Sequence, residues 1–390
     1  MSQSPVTLRG IAWNHTRGFT SVVATAQRFE ELHPDLSIHW EKRSLQAFAD
    51  ASLAQLAGQF DLIVMDHPHT ALAATEGLLL PYDDWLPAEF LADQAAHSVG
   101  GSHASYRFAD RQWTLATDAA TPIATWRPDL IARHHLSLPQ TWPEVLELAR
   151  RGFVTVSAFP IDVLMHSYMF SAVQGCEPFA RPDGVAPDEV LASALADLRE
   201  LVALCDPACL GRNPIRTHEW MSHTDDPRAA YCPFAYGYSN YSRPRYARYL
   251  LQAGGLVTHH GRRLRSTLGG AGLAVSARTK HPRQAMDFAR FTASPEVQRG
   301  IYFQAGGQPG HRSAWTDEAV NAASSNYFRD TLATLDEAIL RPQFPGYMEF
   351  QDAGTPVAHD CLAGKIKPAE AARALNRLYQ TAFAKTSHHS

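Results

Sequence analysis

Several short segments of the 390-residue chain carry side chains suited to holding a small polar molecule. The first is Trp13-Asn14-His15-Thr16-Arg17-Gly18. An indole face stacks on the apolar face of a ligand ring, and a guanidinium grips an oxyanion through two parallel hydrogen bonds, so Trp13, His15 and Arg17 are candidate contacts. Asp66-His67-Pro68-His69 offers a carboxylate and an imidazole, and Asp66 and His67 are candidates, although the same residues suit a helix cap and a turn before proline. Tyr236, Tyr238 and Asn240 lie in an aromatic, hydroxyl-bearing run after Pro233. Thr117 and Asp118 end an extended stretch, Phe159 precedes Pro160, and Gln308 and His311 follow the Gly306-Gly307 pair. Gly270 belongs to Gly269-Gly270-Ala271-Gly272, half of a phosphate cradle, but no Lys-Ser/Thr follows, so a tight turn near the ligand is the better reading.

Other chemistries find less support. No Gly-x-Ser-x-Gly elbow occurs, and Cys232, the one thiol to weigh as a nucleophile beside a distant histidine, stands in an extended run before Pro233. No residue is assigned a catalytic role. The 19 histidines raise metal binding, with His67/His69, His218/His223 and His259/His260 as the pairs to test. No His-Glu-x-x-His motif accompanies them, and Cys205/Cys209 has no second pair to complete a zinc site, so no metal and no cofactor is assigned.

The elements that must position these residues follow from apolar periodicity, which switches between about 2 and about 3.6 over the first 66 residues. Val6, Leu8, Gly10 and Ala12 alternate as a strand, and Phe19, Val22, Val23, Ala26 and Phe29 stripe a helix that ends before His33-Pro34. Leu36, Ile38 and Trp40 make a second strand, Leu45, Phe48, Ser52, Leu53 and Leu56 a second helix, and Phe60 to Met65 a third strand. Helical crossovers make these strands parallel, so the segments leaving strands one and three emerge at one carboxyl edge. There the helix after Gly18 presents its amino-terminal amides.

Gly100 to Arg107 reads as a linker, and the extended run from Gln112 to Thr125 leads toward a second lobe. Gly152 to Ser157 is a predicted strand, with Ala158 and Phe159 as the loop before a helix starting at Pro160. Arg228 to Asn240 is strand and aromatic loop, and the chain returns to the first lobe near Ser266. Ser294-Pro295 opens one late helix and Pro368 to Ala384 forms another. The expected architecture is α/β in two lobes, each a mixed, mostly parallel sheet flanked by helices. Residues 1–118 and 266–312 form the first and 119–265 and 313–390 the second.

A formal charge of −4 gives no basic surplus for nucleic acid. No apolar run approaches the roughly 20 residues that span a bilayer, so no membrane insertion is expected. Residues 1–18 lack a cationic head and apolar run, which points to the cytoplasm as written, or to the periplasm if a leader is missing. Five cysteines at irregular spacing suit a reducing compartment.

In order along the chain, Phe29-Glu30-Glu31-Leu32-His33-Pro34, Phe60-Asp61-Leu62-Ile63-Val64-Met65-Asp66, Gly77-Leu78-Leu79-Leu80-Pro81, Gly269-Gly270-Ala271-Gly272-Leu273-Ala274-Val275-Ser276, Ala285-Met286-Asp287-Phe288-Ala289 and Ser294-Pro295-Glu296-Val297-Gln298 followed by Gly306-Gly307-Gln308-Pro309 resemble family 1 of the bacterial extracellular solute-binding proteins, receptors of ABC importers. The resemblance implies a periplasmic-binding-protein-like fold. It also implies a monomer that captures a small-molecule ligand, most often a sugar, in an interlobe cleft by hinge closure, with an ABC permease as partner if the chain is exported. The cationic and imidazole-rich loops at 13–18 and 66–69 add an anionic metabolite as a second ligand class, and intracellular sensing as a second use. On this reading Arg17→Ala weakens affinity without unfolding the protein. An intracellular enzyme acting on an anionic metabolite and a histidine-based metal binder are the alternatives.

Overall fold

In the computed structural model, which describes residues 6–43 and 52–387, the first crossover unit runs β1 (Val6–Trp13), α1 (Ser21–Leu32), β2 (Leu36–Arg43), α2 (Leu53–Gln59) and β3 (Leu62–Met65). Helix α3 (Ala88–Ala96) and strand β4 (Pro122–Trp126) follow. Then come α4 (Trp142–Arg150), α5 (Pro160–Val173), α6 (Asp188–Leu204) and α7 (Pro214–His223). The last main elements are β5 (Tyr231–Tyr236), β6 (Gln252–Gly254), β7 (Gly272–Val275), α8 (Pro282–Ala293), α9 (Tyr347–Leu362) and α10 (Pro368–Ser387). The Leu45 and Phe48 part of the second predicted helix lies outside the described residues.

The chain divides into two compact units, 1–120 with 269–322 and 121–268 with 323–390. The three crossings thus fall after residues 120, 268 and 322, where the sequence suggested 118, 265 and 312. The Ala120↔Gly269 bridge keeps both residues in the first unit, and the Leu268 amide donates to Ile339 O (2.8 Å) in the second. Residues 313–322 belong to the first unit because the buried Trp315 donates its indole N–H to Pro309 O (2.7 Å) and Asn321 donates to Trp315 O (2.8 Å). Gly100 to Arg107 is no linker: Ser105 and Tyr106 are buried, and the Tyr106 hydroxyl donates to Met65 O (3.2 Å).

The first unit holds a four-stranded sheet in the order β7-β3-β1-β2, with β1 parallel to both neighbours and β7 antiparallel to β3. Strand alternation divides its side chains between two apolar layers. Leu8, Leu62, Val64, Leu273 and Val275 join α1 and α8 on one face, whereas Ile11, Ile63, Met65 and Ala274 join α2 on the other. Burial on both faces explains why β3 reads as an unbroken apolar run.

In the second unit the expected mostly parallel sheet is a three-stranded antiparallel one, β5-β4-β6. The predicted strand at 152–157 contributes a single parallel bridge, Val154↔Tyr231, because after the Thr155 amide donates to Tyr231 O (2.9 Å) the chain turns toward α5. Helix α5 is apolar nearly all round and buried from Asp162 to Val173, as a central helix must be. Its inward serines return their hydroxyls to the helix, Ser167 to Leu164 O and Ser171 to Ser167 O. Helices α6 and α9 pack against it.

Candidate functional site

In the first unit, the carboxyl end of β1 delivers Trp13, and the chain then makes a wide turn, Thr16–Thr20, before α1. The Arg17 amide donates to His15 Nδ1 (3.0 Å), so the imidazole caps this turn through a lone pair and is neutral. Burial, reinforced by the Arg17 charge, lowers the His15 pKa to about 3. Gly18 is required here, since a Cβ would sit 2.3 Å from the Trp13 ring.

Arg17 folds inward. With 4% of it exposed, it donates from Nε to Asp118 Oδ2 (2.7 Å) and from Nη2 to Asp118 Oδ1, and Asp118 is 1% exposed. The Ala271 amide donates to the same carboxylate (3.2 Å). Burial pushes the Asp118 carboxyl up while Arg17 opposes the shift. Thr117 is buried beside this pair, and the fully buried Tyr302 hydroxyl faces Thr117 and Ser21. Gly270 takes φ +98° so that its backbone can lie against Asp118 and Ala119, and Gln308 donates its side-chain amide to Ala119 O (2.7 Å). The fold therefore brings Trp13, His15, Arg17, Thr117, Asp118, Gly270 and Gln308 together. The sequence expectation for Arg17→Ala is corrected: Arg17 is half of a buried ion pair, so its loss strikes the fold.

Asp66 lies near this cluster, close enough for its charge to act on Asp118, and precedes the short turn His67–His69. His67 is buried with its ring edge-on to Tyr106, centroids 6.2 Å apart. His311 goes elsewhere: it caps the helix Arg312–Trp315, and its ring turns toward Asp93 and His97 of the α3 end. Between the two groups, a Cβ on Gly310 would come within 1.9 Å of Ala116 O. Gly310→Ala is therefore expected to destabilise the protein by about 1–3 kcal/mol through forced backbone displacement, read as a lower midpoint in urea unfolding.

In the second unit, Tyr236 ends β5 half-buried opposite Pro122. The Gly237 amide donates to Thr121 O (3.1 Å), after which Tyr238 and the fully buried Asn240 enter the turn Ser239–Ser242. His218 of α7 meets this loop at 6.3 Å from Tyr238 and 5.5 Å from Tyr241 between ring centroids, and the Tyr241 hydroxyl donates to Glu219 (2.9 Å). Phe159 occupies the position before α5, half-buried, with Pro160 first in the helix.

Sequence reasoning missed two features of this unit. Ser157 donates to Asp162 Oδ2 (2.9 Å), and burial pushes the Asp162 carboxyl up to about 8, leaving it largely protonated at neutral pH. The signal was legible: Asp162 and His166 stand in an otherwise apolar helix. His218 was weighed only beside His223 as a metal pair, because only folding sets α7 against the aromatic loop.

Of the residues weighed for other chemistry, Cys232 is buried and its thiol is pushed up to about 12 by that burial. Cys205 and Cys209 are buried free thiols. His223 is exposed while His218 is buried, and His259 pairs with Asp197 (2.9 Å). Among the described residues no helix is long and apolar enough to cross a membrane.

Residues 12–152 match the family model described as bacterial extracellular solute-binding protein. The chain is 30% identical over 128 residues to the mannitol-binding protein of Pseudomonas aeruginosa, a match that covers 32% of this chain and spans only 28% of that relative's length. The maltose-bound MalE3 of T. maritima superposes with a TM-score of 0.81 at 16% identity, over 96% of this chain and 99% of that one. A ribitol complex of an ABC transporter solute-binding protein from Agrobacterium radiobacter K84 gives 0.80 at 17% identity, over 96% and 98%. The fold is that of these two-lobed α/β binding proteins.

Proposed function

We propose that this chain is a bacterial extracellular solute-binding protein that captures a neutral sugar or polyol by hinge closure of its two units, for delivery to an ABC permease. The observation that carries the ligand class is the Arg17–Asp118 pair, which removes the one guanidinium in the loop cluster that the sequence offered to an anion. His15 is uncharged and Asp162 is largely protonated, so apart from Asp66 the candidate groups in each unit are polar with little net charge. Hydroxyl-rich, uncharged ligands fit such groups without leaving a buried charge unpaired. Mannitol, ribitol and maltose, named for the relatives above, supply the first candidates.

The same geometry supports binding over turnover. A thiol held near 12 is not a nucleophile at neutral pH, and the matching family model and the fold are those of binding proteins. Delivery to a permease requires export, so the proposed location is periplasmic.

Titration with hexitols, pentitols, hexoses, maltose and their phosphate esters tests the reading. At least one neutral compound is expected to raise the melting temperature saturably, to be recovered unchanged, and to reduce the radius of gyration in solution scattering. Stabilisation by phosphorylated or carboxylated compounds alone would sink the neutral-ligand reading, and consumption of the compound would sink the binding reading.

A further inference from the structure

The carboxyl end of α3 carries a cluster apart from the Arg17–Asp118 group. Asp93 and His97 are four residues apart and so share a helix face, with His97 Nδ1 2.8 Å from Asp93 Oδ1. His311 arrives from a distant part of the sequence, and its Nε2 lies 3.4 Å from Asp93 Oδ2. Its ring stacks on that of His97 with centroids 5.4 Å apart. One donor atom from each of the three residues lies within 4.8 Å of the other two.

The backbone fixes this juxtaposition on both sides of the histidines. Ser98 bridges His311, the Val99 amide donates to Gly310 O (3.2 Å), and the Arg312 amide donates to His97 O (2.7 Å). His311 is 4% exposed, and its Nδ1, which accepts from the Ser313 amide (3.2 Å) in the helix cap, also lies 2.8 Å from Ser313 Oγ; engagement of Nε2 by a cation requires the other tautomer, in which Nδ1–H donates to that hydroxyl in place of the cap bond. Such an outer hydrogen bond sets the tautomer and orientation of a metal-binding imidazole. The side chains of Asp93 and His97 are 39% and 54% exposed, so solvent reaches the group.

We infer that Asp93, His97 and His311 form a binding site for a divalent transition-metal ion of the Zn²⁺ class, two imidazoles and one carboxylate with the remaining coordination positions open to water. This donor set suits Zn²⁺, Co²⁺ and Ni²⁺ rather than the all-oxygen cations. A bound ion clips α3 to the segment that carries Gln308, and so links metal occupancy to the order of that segment. Asp197, His259 and His260 make a second cluster of similar reach, but Arg262 lines the same surface depression as His260 and opposes a cation there.

The test is calorimetric titration of chelator-treated full-length protein with Zn²⁺, with Co²⁺ absorption as a readout of coordination. The parent is expected to bind saturably, gain melting temperature, and give the intense visible bands of Co²⁺ held in fewer than six positions. His97→Gln, at an exposed position, and Asp93→Asn, at a half-buried one, are each expected to lose at least about tenfold in affinity along with those bands. His260→Gln and the double change His388→Gln/His389→Gln serve as controls and should leave this binding intact. Equal Zn²⁺ affinity and stoichiometry in His97→Gln, Asp93→Asn and the parent would overturn the assignment, as would absence of saturable binding by the parent or its loss in either control.

Discussion

Arg17→Ala is expected to lower the free energy of unfolding by about 3–5 kcal/mol, a large part of what holds a typical domain together. The size follows from what the substitution leaves behind. Asp118 is 1% exposed, and without Arg17 the Ala271 amide is its remaining charge-stabilising partner among the groups that act on it. A carboxylate so placed must take up a proton or draw water into the unit, and either costs free energy. Arg17→Met/Asp118→Leu removes both charges and is expected to recover most of the loss, because two apolar groups of similar volume forgo the pair's desolvation cost as well as its attraction. Urea unfolding of the parent, Arg17→Met, Asp118→Leu and the double variant completes the cycle. An Arg17→Ala protein with an unchanged midpoint would mean that the pair is solvated and that Arg17 is available to a ligand after all.

Arg17 also shows where the sequence is legible and where it stops. Its position after a parallel strand, at the head of a helix, follows from periodicity, as do β1, α1, β2 and β3. Local patterning sets these elements because each keeps one apolar period along its length. The partner of Arg17 lies 101 residues away, and no local rule connects them. The same holds for His311, whose place after Gly306-Gly307 suggested a ligand loop but whose ring is directed by the Ser98 bridge toward α3. The second unit was harder for a related reason. Its sheet is antiparallel and short, so its strands are set by distant pairing, β4 with β5 and with β6, rather than by successive crossovers. Residues 152–157 had the composition of a strand and found only one bridge to make. Charge was the least legible property: Trp13 to Gly18 reads as cationic in one dimension and is close to neutral once Asp118 and the burial of His15 are counted.

Buried histidines should make stability strongly dependent on acid. Burial lowers the pKa of His15 and His166 to about 3 and, with Arg107 assisting, that of His103 to about 4. The unfolded chain takes up these protons near pH 6.5, whereas the folded chain refuses them until pH 3–4. The unfolded state therefore binds more protons throughout that window, and the stability these groups contribute is complete above pH 6.5 and lost as pH falls. Asp162 acts in the opposite sense, because its folded pKa of about 8 lies above the unfolded value near 3.8. It holds a proton that the unfolded chain releases, so its contribution is complete below about pH 4 and lost as pH rises through 8. Between pH 5 and 6 three histidine protons oppose one aspartate proton, leaving about two net protons and a slope of ~3 kcal/mol per pH unit. Above pH 6.5 the histidine contribution is exhausted and Asp162, joined by any rise in Asp118, tilts the profile downward. Stability should therefore peak near pH 6.5. Urea midpoints from pH 4.5 to 8.5 check the shape, and Asp162→Asn is expected to flatten the alkaline limb while leaving the acid limb in place. A parent profile level from pH 5 to 6.5 would show that His15, His103 and His166 titrate as solvated groups, and the case for an uncharged binding surface in the first unit would lose its second support after the Arg17–Asp118 pair.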